Sequence, residues 1–154
     1  MAQEEGIALL TRLLSPLHTL ITYQPLRTEV AFSSINALPL GARLYEIPPR
    51  ASLDPVSVAK EVQVAFQDQS VAILIPGRRF DTTGTRHGQG GGWYDRFLSH
   101  VPREWLRIGF CYDDQLSDRP LVRKSWDQAM DYVVVINRKT ANCTVYSSEG
   151  MTYD

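Results

Sequence analysis

Half of the chain's ten glycines fall within nine positions, at Gly84, Gly88, Gly90, Gly91 and Gly92. Arg86 and His87 lie among them, and Trp93, Tyr94 and Asp95 follow at once. Glycine accepts positive φ and lets main-chain N–H groups approach a ligand with no Cβ in the way. Several glycines together can therefore surround phosphate oxygens with donors. Arg86 adds a planar, permanently charged fork suited to phosphate. Asp95, in the first turn of a following helix, could cap that helix or hold magnesium through one carboxylate and several waters. The stretch RHGQGGGWYD thus reads as a cradle for a phosphate-bearing ligand, delivered to a helix N-terminus where negative charge is favoured. A flexible linker has similar glycine content, but it is not flanked by an apolar strand on one side and an aromatic helix on the other. The spacings GxxxxGK[ST] and GxGxxG are not met, so neither of those nucleotide folds follows from the motif.

The elements around the cradle must place it. Val71 to Ile75, VAILI, is a continuous apolar run stopped by Pro76 and Gly77, as expected of a central strand buried on both faces. A helix from about Trp93 to His100 follows the loop, then strands at Arg107 to Cys111, Tyr132 to Ile136 and Asn142 to Ser147. Upstream, Ile7, Leu10, Leu13, Leu14 and Leu17 have helical spacing, with the helix ending near Pro16, and Leu20 to Tyr23 reads as a strand. Val30 to Leu38 reads as a short helix and Arg43 to Ile47 as a strand. Asp54 and Pro55 form an N-cap and first-turn pair for a helix whose buried stripe is Val58, Val62, Ala65 and Phe66. The alternation of β and α predicts a single-domain, three-layer α/β/α fold over residues 1–154, with a mostly parallel central sheet. Its ligand crevice should lie outside the carboxyl ends of the strands.

Composition narrows the function. Sixteen Lys and Arg against seventeen Asp and Glu leave a formal charge of -1, which offers no broad attraction for nucleic acid or anionic membrane. An anion site must be local. Cys111 and Cys143 lack CxxC spacing and sit in apolar, strand-like surroundings, which suggests small buried side chains in a reducing compartment. The acidic start of the chain does not resemble a signal peptide, and a cytoplasmic location is expected.

Taken whole, PGRRFDTTGTRHGQGGGWYDRFL, Pro76 to Leu98, resembles the signature PGxxFDxxGxRxGxGxGYYDRFL of the 5-formyltetrahydrofolate cyclo-ligase, or methenyltetrahydrofolate synthetase, family. The likeness extends to RIGFCYDDQL and WDQAMDYVVV, placing Gly109, Gln115, Asp127 and Asp131, and upstream to YQPLRTEV, placing Glu29. The resemblance implies an enzyme that uses ATP and Mg2+ to close a reduced folate, 5-formyltetrahydrofolate, to 5,10-methenyltetrahydrofolate by phosphoryl activation of the formyl oxygen.

By position, it implies that Arg86, His87, Gly88, Gln89, Gly90, Gly91, Gly92, Trp93 and Tyr94 contact ATP. Gln89, Gly90, Gly91, Gly92 and Trp93 would also face the folate, Asp95 and Asp127 would serve magnesium, and Glu29 would accept from N–H groups of the pterin. Arg86 and Asp95 would carry the catalysis. Residue type alone leaves other readings open: Glu29 as a solvated surface acid, Asp127 as a cap, Asp81 as a turn-former, Tyr94 and Phe97 as core.

The likeness has gaps. Family members begin with a further helix whose Lys and Arg reach the ATP phosphates, so this chain reads as an N-terminally short member. Arg12 lies in a different context, and no lysine precedes Lys60. Trp93, Trp126, His87 and Gln89 replace the family's usual residues, and the connection before Val71 is short. A nucleotide- or folate-binding homologue without turnover is the alternative expectation.

Overall fold

Side chains along the central strands alternate between two buried clusters, one on each face of a sheet. On β3 (Val71–Ile75), Val71, Ile73 and Ile75 face one way and Ala72 and Leu74 the other. The computed structural model describes residues 3–34, 41–48, 53–88 and 92–154. Within them run α1 (Gln3–Leu14), β1 (Thr19–Tyr23), β2 (Arg43–Ile47), α2 (Pro55–Ala65), β3, β4 (Arg79–Phe80), β5 (Arg86–His87), α3 (Trp93–Leu98), β6 (Leu106–Tyr112), β7 (Tyr132–Ile136), β8 (Cys143–Ser147) and β9 (Thr152–Tyr153).

Seven strands form one sheet in the order β2-β1-β3-β6-β7-β8-β9. The pairs β1/β2, β1/β3, β3/β6 and β6/β7 are parallel, while β7/β8 and β8/β9 are antiparallel. Helices α2 and α3 cover the face bearing Ile73, and α1 covers the opposite face through Leu9, Leu10 and Leu14. The expected three-layer, mostly parallel architecture is present. No helix among the described residues is long and apolar enough to cross a membrane.

Several local expectations need correction. The helix expected over Val30 to Leu38 is a single 3-10 turn, Phe32–Ser34, within the described residues, and positions 35–40 lie outside them. As a residue type, serine can satisfy main-chain hydrogen bonds in non-helical conformations and does not favour a helix interior. On α2, Asp54 caps as expected, accepting from Ser57 N–H at 2.9 Å. The stripe is instead Pro55, Val58, Ala59 and Val62, continued by Phe66, which leaves Ala65 at its exposed edge. The loop after β3 does not run straight to α3. It first makes the β4/β5 hairpin, in which Arg79 pairs with His87 and Phe80 with Arg86. Two-residue strands such as these, and β9, carry too few side chains for a period to be read.

The hairpin is seated by one aromatic ring. Phe80 is fully buried on the α2/α3 face, in a notch at Gly77 and Gly109. A Cβ at Gly109 would lie 2.4 Å from Phe80 Cε1, and one at Gly77 2.9 Å from Cε2. Gly109→Ala is therefore expected to cost about 1–3 kcal/mol through overpacking. Urea unfolding should show a lower midpoint, and an unchanged midpoint would contradict this seating.

Candidate functional site

From β1 the chain moves to β2 on one side, then returns to β3 on the other side of β1. The strand order thus reverses between β1 and β3, where open α/β sheets form a ligand crevice beyond the carboxyl ends. Segments leaving these two strands supply the candidate site: 24–30 after β1, and the hairpin, glycine loop and α3 after β3. The segment 113–130 after β6 completes it.

Glu29 is not a solvated surface acid. It is only 6% exposed, and its Oε1 accepts from Leu26 N–H at 2.8 Å. The same turn is tied to the end of β6, where Gln115 Nε2 donates to Thr28 O at 3.2 Å and Tyr112 N–H donates to Gln115 Oε1 at 2.9 Å.

Arg86 is 7% exposed, and its Nε donates to Pro76 O at 2.6 Å. Its Cζ lies 5.2 Å from the centre of the Tyr94 ring. Tyr94 is buried with Phe97 in the core, so it supports the guanidinium from behind. A Cβ at Gly88 would stand 2.7 Å from Arg86 Nη2, so the guanidinium lies close under the main chain there and a side chain at this position would displace it. His87 is half-buried, with Nε2 2.8 Å from Val122 O. Gln89, Gly90 and Gly91 lie outside the described residues. Gly92, at φ +64°, turns the chain into α3 and offers no side-chain cap. Trp93 is half-buried, stacked on Phe97 at 5.5 Å, and donates from Nε1 to Leu53 O at 3.0 Å.

The segments that bear the two expected metal carboxylates meet through a main-chain hydrogen bond. Asp95 Oδ1 accepts from Gln128 N–H at 3.0 Å, and the residue before Gln128 is Asp127. Asp127 Oδ2 accepts from Lys124 N–H at 2.8 Å, so the capping role also holds. Each carboxylate keeps a second oxygen without a protein partner among the described residues. No group of three or more His, Cys, Asp or Glu that could hold a metal occurs among them, so any ion there would complete its shell with water and substrate.

Asp81 is the turn-former. Its Oδ1 accepts from Thr83 N–H, Thr83 Oγ1 and Thr85 N–H at 2.9, 2.7 and 3.0 Å, and its Oδ2 accepts from Leu121 N–H at 2.8 Å. One carboxylate thus shapes the hairpin turn and fastens the 117–130 segment to it. Sequence reasoning passed over Arg123, whose guanidinium grips Thr85 Oγ1 at 2.8 and 3.0 Å. It also passed over Arg107, a charged residue at the start of a buried strand and only 2% exposed. The position of Arg107 beside an apolar run was its one visible signal. The cysteines are buried as expected, and burial pushes the Cys111 thiol up to about 12 and the Cys143 thiol up to about 11.

Fold and site together define a doubly wound α/β protein with a glycine-rich, arginine-backed loop at its switch point. Residues 43–136 of the 154 match the model of the 5-formyltetrahydrofolate cyclo-ligase family, and the chain belongs to that family of ligases. It is 27% identical over 120 residues to the 5-formyltetrahydrofolate cyclo-ligase of Mycoplasma pneumoniae, covering 75% of this chain and 71% of the relative. It is 28% identical over 126 residues to that of Mycoplasma genitalium, covering 75% and 70%. The solved 5,10-methenyltetrahydrofolate synthetase of Mycoplasma pneumoniae shares the fold, with a TM-score of 0.52 at 22% identity over 86% of this chain and 82% of that one.

Burial alone would raise the Asp81 carboxyl, but the hydrogen bonds from Leu121, Thr83 and Thr85 outweigh it and hold the group below its ordinary value. The fold favours the ionised form, so its stabilisation is present above the unfolded value of about 3.9 and is lost as pH falls through the depressed folded value. Asp81→Asn should remove this acid-sensitive component and destabilise the protein at neutral pH by about 1–3 kcal/mol. Urea unfolding between about pH 2 and pH 7 measures both, and an acid slope identical to wild type would sink the assignment.

Proposed function

We propose that this protein converts 5-formyltetrahydrofolate to 5,10-methenyltetrahydrofolate at the expense of ATP, with magnesium. The observation that carries the reading is a buried arginine set against Pro76 and Gly88 in the chain leaving β3, with Asp95 on α3 bonded to the main chain of Gln128, next to Asp127. Chemically, the formyl oxygen attacks the γ-phosphorus of ATP and ADP leaves. N10 then closes on the activated formyl carbon, phosphate departs, and the N10 proton passes to solvent. No protein nucleophile is needed. The demand is for positioning and for charge placed where the transferred phosphoryl group develops it.

Arg86 suits that demand because its Nε and its stacking face are already engaged by Pro76 and Tyr94. Its Nη2 lies close under the main chain at Gly88, beside the start of the glycine loop. The loop from His87 to Gly92 would give main-chain N–H groups to the phosphates. Asp95 and Asp127 fit a magnesium ion, since a main-chain N–H orients one oxygen of each and leaves the other for a ligand. The ion would supply charge neutralisation at the phosphates. Glu29, held as a buried acceptor beyond β1, would receive pterin N–H groups, and the loop from Gln89 to Trp93 would flank the folate. The two buried thiols suit a reducing cytoplasm.

Purified protein supplied with MgATP and 5-formyltetrahydrofolate should build the absorbance band of the methenyl product. Arg86→Ala and Asp95→Ala should each lower kcat/KM by about 10²–10³-fold. Absence of the methenyl band with the folded wild-type protein would refute this function.

A further inference from the structure

Arg107 opens β6 on the α2/α3 side of the sheet, where its side chain is buried in a place that packing alone would give to a hydrocarbon. Burial draws its pKa down, as does the neighbouring charge of Arg103, while Asp131 opposes them. Nε finds no partner among the described residues. A buried guanidinium with one idle donor is a poor source of stability, because its desolvation is only partly compensated.

The other two nitrogens carry a pattern. Nη2 donates to Leu98 O, at the last residue of α3, at 3.0 Å. Nη1 donates to Gln128 Oε1 at 2.6 Å. Gln128 in turn donates from its main-chain N–H to Asp95 Oδ1 at 3.0 Å, and Asp95 stands one turn before Leu98 on the same helix. The circuit closes: Asp95, Gln128, Arg107, Leu98 and back through α3 to Asp95. Asp127 is covalently next to Gln128, so whatever fixes Gln128 against α3 also fixes the second carboxylate against the first. The end of the segment is clamped to the same strand start, since Asp131 Oδ2 accepts from Arg107 N–H at 2.9 Å and Asp131 N–H donates to Arg107 O at 2.8 Å.

We infer that Arg107 and Gln128 are positioning residues that set the spacing of Asp95 and Asp127, and so the affinity of the site for a divalent ion. The inference rests on the proposed magnesium role of those two carboxylates. Neither residue touches substrate. They act by removing rotational freedom from two acids borne on different elements, as outer-shell hydrogen bonds do in metal sites.

Mn2+ is the probe, its binding to the protein–ATP complex read by electron paramagnetic resonance. Gln128→Ala removes the side-chain link from Arg107 to the half-buried residue beside Asp127 while the Asp131 clamp stays, and it avoids the folding risk of truncating Arg107 itself. It should weaken Mn2+ binding about 10–100-fold. In turnover assays the same variant should raise the magnesium concentration for half-maximal rate while the folate KM stays within about twofold. Gln128→Glu keeps an acceptor for Arg107 and should recover most of the affinity. Arg103→Ala, which loses the partly exposed pair with Asp131 but leaves the Arg107–Gln128 and Arg107–Leu98 bonds in place, should match wild type. A folded Gln128→Ala protein that binds Mn2+ as wild type does overturns the positioning role and leaves the proposed activity standing. Failure of wild type itself to bind Mn2+ with ATP overturns the magnesium role and the inference with it.

Discussion

The candidate site depends first on a steric fit, the ring of Phe80 against the backbone at Gly77 and Gly109. A side chain at either glycine would fill the space the ring occupies. Because the ring is seated, the main chain of Phe80 can pair with Arg86 in the hairpin and bridge to Leu116, while its carbonyl accepts from Ser117 N–H at 2.7 Å. One residue thereby joins the chain leaving β3 to the chain leaving β6. Tight packing of this kind is stiff, since even one methylene changes its energy.

Polar groups then take over where apolar packing ends. Asp81 meets four hydrogen-bond donors and converts the seated hairpin into a defined turn. Arg86 hangs from the carbonyl of Pro76 on the strand side and rests on Tyr94 from the helix side, so its charge is held between β3 and α3. A chain with formal charge -1 cannot draw an anion by its overall field. A fixed local cation with partial desolvation attracts one more strongly than the same charge in water. The acidic side is built by the same logic: both carboxylates are oriented by main-chain N–H groups, and Arg107 anchors the segment that carries one of them.

Much of this was legible in the residues. VAILI announces a strand buried on both faces, Asp54 with Pro55 announces the start of α2, and β2 and β7 lie where their patterns place them. These features are local: each is a period, a cap or a stop that few neighbouring residues define. The glycine cluster was equally plain, and so was the near-neutral charge of the chain. The likeness of Pro76 to Leu98 to the cyclo-ligase signature was also open to reading from the residues alone.

What only the tertiary structure decided is which distant residues meet. Glu29 has the residue type of a surface acid, yet the turn it caps is roofed by Gln115 from beyond β6. Arg107 looks like the polar edge of a strand, yet it holds Leu98 and Gln128 on two other elements. The antiparallel end of the sheet, the β4/β5 hairpin and the bond between Gln128 and Asp95 are likewise products of contact across the fold. The physical reason is common to all of them. Local sequence governs backbone preference and the sidedness of burial, whereas hydrogen bonds and steric fits between segments far apart in the chain exist only once the sheet has set their separation.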